Sequence, residues 1–300
     1  MSAPLHRGLV VSTHGRHCVV EDESGRRLIC HARGKKSEAV VGDRVAWCPT
    51  QAASDEGVIE RVEARRNLLF RQDEWRSKMF AANLDQVLVW LAVEPVFSES
   101  QLTRALIAAE AAQIPARIVL NKTDLPGASA AWERLEPYRR MGYDVQRCAL
   151  KKDRAAAVAL LQPLLHERAT LVLGPSGGGK STLINTLVPE AQAQTAEIST
   201  ALNSGRHTTT VTRWHWLDAG HHGALIDSPG FQEFGLQHVA ATDLAALMPD
   251  IAAHLGQCRF YNCTHRQEPG CGVRDAATRG DISPNRMRLY EALYGELAAR

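Results

Sequence analysis

Gly174-Pro175-Ser176-Gly177-Gly178-Gly179-Lys180-Ser181-Thr182 follows the apolar run Ala169–Leu173 and opens a run with helical spacing, Ser181–Leu187. Strand, G-x-x-x-x-G-K-[ST] loop and helix in that order form a phosphate-binding loop. The glycines let the backbone turn its N–H groups inward around phosphate oxygens. Lys180 is placed to reach the β and γ oxygens, and the Ser181 hydroxyl is a magnesium ligand. On either side, apolar runs alternate with helical stretches. Val87–Val93, Arg117–Leu120, Val145–Ala149, Ala169–Leu173, Thr212–Leu217 and Ala224–Asp227 read as strands. Gln101–Gln113, Trp132–Met141 and Arg154–Glu167 read as helices. Nearly all-apolar strands separated by helices predict a parallel sheet covered on both faces.

The choice of nucleotide falls to Asn121-Lys122-Thr123-Asp124, at the carboxyl end of the strand Arg117–Leu120. This is an N-K-x-D pattern. The Asp124 carboxylate can accept from N1–H and the exocyclic amine of guanine together, a donor pair that adenine does not present. Asn121 would tie the loop to the P-loop, and the Lys122 stem would lie along the base. Asp227-Ser228-Pro229-Gly230 matches D-x-x-G after another strand; Asp227 would hold a water on Mg²⁺ and the Gly230 N–H would meet the γ-phosphate. Between the two phosphate motifs runs the polar stretch 191–210, containing Gly205-Arg206-His207-Thr208-Thr209-Thr210, which reads as a switch loop. Thr209 or Thr210 is the expected Mg²⁺-sensing residue, Thr209 being taken with Ser181 and Asp227 as the magnesium set.

Outside this unit the character changes. From Leu9 to Val62 short alternating segments (His17–Glu21, Arg26–His31, Asp43–Cys48, Gly57–Val62) separated by turn formers predict a small OB-like β-barrel, joined to the rest by a basic connector, Arg61 to Arg71. The tail from His238 reads as helical around Cys258, Cys263, His265 and Cys271. Three thiolates and an imidazole complete a tetrahedral Zn²⁺ site with no open position, so the metal would be structural. The last helix starts at Ser283-Pro284. The expected division is 1–71 barrel, 72–236 nucleotide domain and 237–300 zinc-binding domain.

Composition agrees with a globular, multidomain chain: 300 residues, 45% hydrophobic and 23% charged, with a formal net charge of only +2. Residues 1–71 carry 12 Lys/Arg against 9 Asp/Glu, and residues 258–300 carry 7 against 5, so both ends are mildly basic around an acidic middle. No run is apolar enough to span a membrane and no signal-peptide core follows Met1, which predicts a cytoplasmic protein without a membrane partner.

The order of motifs is base reader, P-loop, switch I and switch II, a circular permutation of the Ras order. With a β-barrel before it and a Cys/His cluster after it, the chain resembles, over essentially its whole length, the ribosome small subunit-dependent GTPase A family. That resemblance implies a GTPase that binds GTP and GDP with Mg²⁺, carries one zinc ion, and acts as a monomer on the 30S ribosomal subunit and its 16S rRNA in late maturation. Cys148-Ala149-Leu150 stands where a Ser-Ala-Leu base-packing loop is usual, and Gly178 where Val is common. Phe231 follows D-x-x-G where many Ras-like GTPases place a water-orienting Gln, which leaves His207 as the candidate catalytic group. Three other readings stand beside this one: a P-loop ATPase or kinase, a nucleotide-gated RNA-binding protein with negligible turnover, and a hydrolase that works without the ribosome.

Overall fold

The structure is a computed structural model describing residues 5–15, 17–33, 39–51, 55–72, 77–188, 191, 211–228 and 234–299. Alternation at the amino-terminal end does produce a barrel. Strands β1 (His6–His14), β2 (His17–Asp22), β3 (Arg27–Ala32), β4 (Arg44–Pro49) and β5 (Glu56–Val62) pair in the cyclic order β1-β2-β3-β5-β4-β1. Only β3 with β5 is parallel. Inward-facing Val10, Val20, Leu28, Val45, Trp47 and Ile59 fill the interior, as the period-two pattern requires.

The connector is more than a linker. It contains β6 (Leu68–Gln72), which forms a separate two-stranded sheet with β7 (Ser77–Ala82). Two of its arginines are engaged within the molecule: Arg65 donates twice, at 2.8 Å, to the fully buried Asp43, and Arg66 pairs with Asp85 at 2.6 Å.

Beyond β7 come β8 (Gln86–Ala92), α1 (Glu99–Ala111), β9 (Ala116–Asn121), α2 (Ala128–Glu133), α3 (Glu136–Arg140) and β10 (Asp144–Arg147). Then follow α4 (Arg154–Leu165), β11 (Ala169–Leu173), α5 (Lys180–Leu187), β12 (Arg213–Trp216) and β13 (Ala224–Asp227). The strands β10-β9-β8-β11-β13 are parallel. The expected all-parallel sheet is corrected at its edge: β12 runs antiparallel to β13, because the two are joined by the short turn around Gly220–Gly223 rather than by a crossover helix. A single pairing, Ser12 with Arg213, joins β1 to β12, so barrel and central sheet are continuous. The single helix expected over Trp132–Met141 is two. Pro137 sits in the first turn of α3, where its missing N–H costs nothing, whereas inside a through-running helix it would break the ladder.

The tail holds α6 (Pro249–Ala252), α7 (Gly272–Arg279) and α8 (Pro284–Ala298), the last capped by the Ser283 hydroxyl as its sequence suggests. The cysteine segment between α6 and α7 is turns rather than helix, with Gly256 and Gly270 at positive φ. Tyr290, Leu293 and Leu297 of α8 share one core with Leu102 and Leu106 of α1. Arg286 of α8 is buried there, bonded to Asp250 at 2.7 and 2.9 Å and to Thr103 Oγ1 at 2.8 Å. Among the described residues, no helix is long and apolar enough to cross a membrane.

Candidate functional site

Parallel strands deliver their carboxyl ends to one edge of a sheet, and ligands bind there. β9, β11 and β13 end on the three motifs singled out in the sequence. After β11 the backbone turns against Trp90: a Cβ at Gly174 would lie 2.1 Å from the Trp90 carbonyl oxygen, so only glycine fits. Gly179 caps α5 at φ +98°, a left-handed conformation suited to glycine, and its Cα faces Asn121 so closely that a Cβ would stand 2.9 Å from Nδ2. Gly178 differs: its φ is not left-handed, and the nearest atom to an added Cβ would be the Pro175 carbonyl oxygen at 3.3 Å.

The loop Asn121–Asp124 is bolted to the P-loop. Asn121 donates from Nδ2 to Gly178 O at 3.1 Å, and its Oδ1 accepts from the Leu150 N–H at 3.1 Å. Lys122, at φ +61°, donates to Gly177 O at 2.9 Å and also to Glu94 O, so its stem spans from one loop to the other. Thr123 donates from both N–H and hydroxyl to Cys148 O. Asp124 is exposed at the mouth of the edge. Cys148, in place of the usual serine, keeps a donor in the same position: its thiol lies 3.7 Å from Asn121 Oδ1, and burial pushes it up to about 12, so it stays protonated and able to donate.

Lys180 is buried and donates to the carbonyls of Gly174 at 2.7 Å and Pro175 at 2.9 Å. Burial lowers its pKa, against the raising influence of Asp227. Asp227 is pushed up to about 6 by burial, with Lys180 and Arg213 pulling the other way. Ser228 turns its hydroxyl into the fold, to Val172 O at 2.7 Å. Ser181 is exposed at the start of α5 and Thr182 half-buried behind it. A hydroxyl and a carboxylate beside the phosphate loop are the oxygen donors Mg²⁺ prefers, so Ser181 and Asp227 fit that ion. His207, Thr209, Thr210, Gly230 and Phe231 lie outside the described residues.

Some partners in this site carry no sequence signal. Trp90, in the apolar run Val87–Ala92 of β8, donates its indole N–H to Gly178 O at 3.0 Å, and Arg213 pairs opposite Asp227.

At the other end of the chain, one ligand atom from each of Cys258, Cys263, His265 and Cys271 lies within 4.8 Å of every other. His265 Nδ1 is 3.4 Å from both Cys258 Sγ and Cys271 Sγ, and those sulfurs are 3.9 Å apart. Sulfurs bound at about 2.3 Å in a tetrahedron stand about 3.8 Å apart. The cluster therefore has the dimensions of a Cys₃His metal site. Glu268 fixes the loop beside it by accepting from the Thr264 hydroxyl and N–H, at 2.6 and 2.7 Å.

Comparison with known proteins adds the following. The sequence pattern of the RsgA GTPase family matches residues 62–237. A small ribosomal subunit biogenesis GTPase RsgA of Variovorax paradoxus (strain S110) is 60% identical over 98% of this chain and 93% of its own. The protein of the same name from Burkholderia pseudomallei (strain K96243) is 53% identical over 97% and 92%. A crystal structure of YjeQ from Thermotoga maritima superposes with a TM-score of 0.75 at 30% identity, covering 99% of this chain and all of that one. That of YloQ, a circularly permuted GTPase, gives 0.72 at 26% identity over 99% and 96%.

Proposed function

The chain belongs to the RsgA GTPase family and is a GTP hydrolase, and from that premise we propose that it works on the 30S ribosomal subunit late in maturation, its turnover stimulated by the particle. The observation that carries the nucleotide half is the bond from Asn121 to Gly178, which fixes the guanine reader against the phosphate loop. The ribosomal half is supported by the names of its relatives, two of which are called small ribosomal subunit biogenesis GTPases.

In this reading Asp124 accepts from the guanine edge, and rejection of ATP follows because adenine would leave that carboxylate facing an acceptor. The backbone of Gly174, Pro175, Ser176, Gly177, Gly178 and Gly179, with Thr182 behind it, encloses the phosphates. Lys180, which bonds two loop carbonyls in this structure, exchanges them for the β/γ oxygens. Ser181, Asp227 and Thr209 would hold Mg²⁺, which when bound would supply charge neutralisation on the phosphates. Gly230 senses the γ-phosphate. Phe231 cannot orient water, so His207 does so when the chain is docked on the particle. Cys258, Cys263, His265 and Cys271 hold one structural zinc. The barrel and the zinc segment contact 16S rRNA through basic side chains of the two ends, and the chain acts as a cytoplasmic monomer. The division at 71/72 and 236/237 belongs to the same proposal, although the first boundary falls inside β6 and reads better ahead of Leu68.

GTP hydrolysis measured with and without 30S subunits tests this. Stimulation is expected in the wild type and should be largely lost in His207→Ala with basal turnover kept. Turnover indifferent to 30S subunits overturns the ribosomal reading, and full stimulation of His207→Ala removes that residue from it.

A further inference from the structure

Between the first two ligands of the metal cluster, the chain displays an aromatic ring with nothing to cover it. Tyr261 is fully exposed, at 103% of the reference area, and Phe260 beside it is 41% exposed. Both are large apolar side chains in a molecule whose other exposed ones are few and scattered among the described residues. The loop that carries them is nonetheless held at its base. Cys258 and Cys263 are both cluster members, Arg259 N–H donates to Gly270 O at 2.9 Å, and Cys263 N–H donates to Phe260 O at 3.3 Å. A rigid platform presenting a ring to solvent loses little conformational entropy on binding, because the loop is already ordered.

The charge around the ring selects the partner. Arg259 is exposed and lies with its guanidinium 5.5 Å from the Phe260 ring centre; Arg266 and Arg274 are exposed as well, Arg266 over the Tyr294 ring at 5.3 Å and Arg274 donating to the Arg266 carbonyl. Between Cys258 and Cys271 the one acid, Glu268, is engaged by its own loop, accepting from Thr264, Arg266 and Gln267, while Asp275 beside Arg274 is exposed. Arginine charge with interleaved exposed aromatics is the combination that binds single-stranded nucleic acid, phosphates going to the guanidinium groups and base faces to the rings. A duplex offers no such face, since its bases are stacked on one another.

We propose that the Phe260–Tyr261 loop is a base-stacking tip that docks on unpaired RNA bases, with Arg259 on a neighbouring phosphate. This rests on the reading of the chain as a small-subunit factor, and it deepens that reading by assigning a contact of stated chemistry to two residues.

The test compares wild type with Tyr261→Ala, Tyr261→Phe and Arg259→Ala for binding to purified small ribosomal subunits and to a fluorescent single-stranded RNA of about 12 nucleotides, over a range of salt. Loss of one stacked base lowers affinity about tenfold. Tyr261→Ala should show that loss on both probes with the salt slope unchanged, and Tyr261→Phe should bind as wild type does. Arg259→Ala should lower the salt slope by about one. Metal content equal to wild type in every variant excludes collapse of the cluster, which a solvent-facing side chain does not support. If Tyr261→Ala binds both probes as wild type does, or Tyr261→Phe loses as much as Tyr261→Ala, stacking is overturned. If Tyr261→Ala loses the particle but keeps the RNA, the ring docks in a protein pocket and the RNA assignment is overturned. If wild type itself fails to bind the particle while it binds the RNA in a Tyr261-dependent way, the ribosomal reading fails and the tip stands; failure on both probes overturns both.

Discussion

Arg213 stands directly opposite Asp227 where β12 pairs with β13, and its other edge pairs with Ser12 of the barrel strand β1. Residues opposed in an antiparallel pair share a face with Cβ atoms about 5 Å apart. A cation from the strand that follows the switch region thus sits beside the carboxylate of D-x-x-G, and on the seam with the barrel.

Burial outweighs that cation and Lys180, leaving Asp227 at about 6 against 3.8 in an unfolded chain. The folded state therefore binds the extra proton between those values. Stability from this group is greatest at low pH and falls as pH rises through about 6, by at most about 3 kcal/mol. Asp227→Asn should raise the Tm of the nucleotide-free protein at pH 7.5, with the gain fading toward pH 4, and should abolish most Mg²⁺-dependent hydrolysis. Calorimetry showing the same shift at both pH values would contradict the assignment.

Asp124 is exposed and offers only acceptors. Asp124→Asn should weaken GTP by roughly 10- to 100-fold and favour xanthosine triphosphate, whose O2 accepts from the new amide. Competition binding with GTP, ATP and xanthosine triphosphate reads this directly. Equal affinity of the wild type for ATP and GTP would remove Asn121–Asp124 from base recognition.

Arg286 and Asp250 are 4% and 9% exposed, and the pair joins α8 to the turn of α6 above Thr103 of α1. Arg286→Met strands a buried carboxylate and should cost about 3 to 5 kcal/mol, read as a lowered midpoint in denaturant. GTP affinity should stay within about twofold of wild type, since the bonds of Arg286 to Asp250 and Thr103 involve no residue of the nucleotide motifs. A midpoint unchanged by the substitution would mean that the tail is not docked on α1 in solution.

Metal analysis of protein purified without chelator should find one zinc per chain, and Cys258→Ser should lose most of it. Because the metal segment has few large apolar residues, its order depends on the ion, whereas the nucleotide sheet has its own core in Leu88, Trp90, Val172, Leu183 and Leu225. GTP binding should therefore survive the substitution. Loss of nucleotide binding together with the metal would show that the two units fold as one.

The legible parts of the chain were those written in consecutive residues. The phosphate loop is made of contiguous backbone N–H groups, so Gly174–Ser181 could be read as it stands, and the barrel followed from alternation because a period of two assigns a face to every residue. The same local logic found the Ser283 cap and the convergence of Cys258, Cys263, His265 and Cys271. It failed where an element is set by what it packs against. The β6–β7 hairpin read as a connector because charged Arg71 to Arg76 interrupts its pattern, while Leu69 and Phe80 are held in place by Phe234 and Leu236 from far along the chain.

Sequence alone thus determined the candidate chemistry: an N-K-x-D motif ending in Asp124, a G-x-x-x-x-G-K-[ST] loop, and three cysteines and a histidine whose ligand atoms converge closely enough to hold a metal ion. Tertiary structure decided how these parts are coupled. Trp90 and Gly178 are 88 residues apart, Lys122 and Gly177 are 55 apart, and Arg213 meets both Ser12 and Asp227. Such contacts depend on strand order and on the direction in which β12 runs, and no short window of sequence encodes either, because the free energy that selects them comes from burying faces contributed by distant segments.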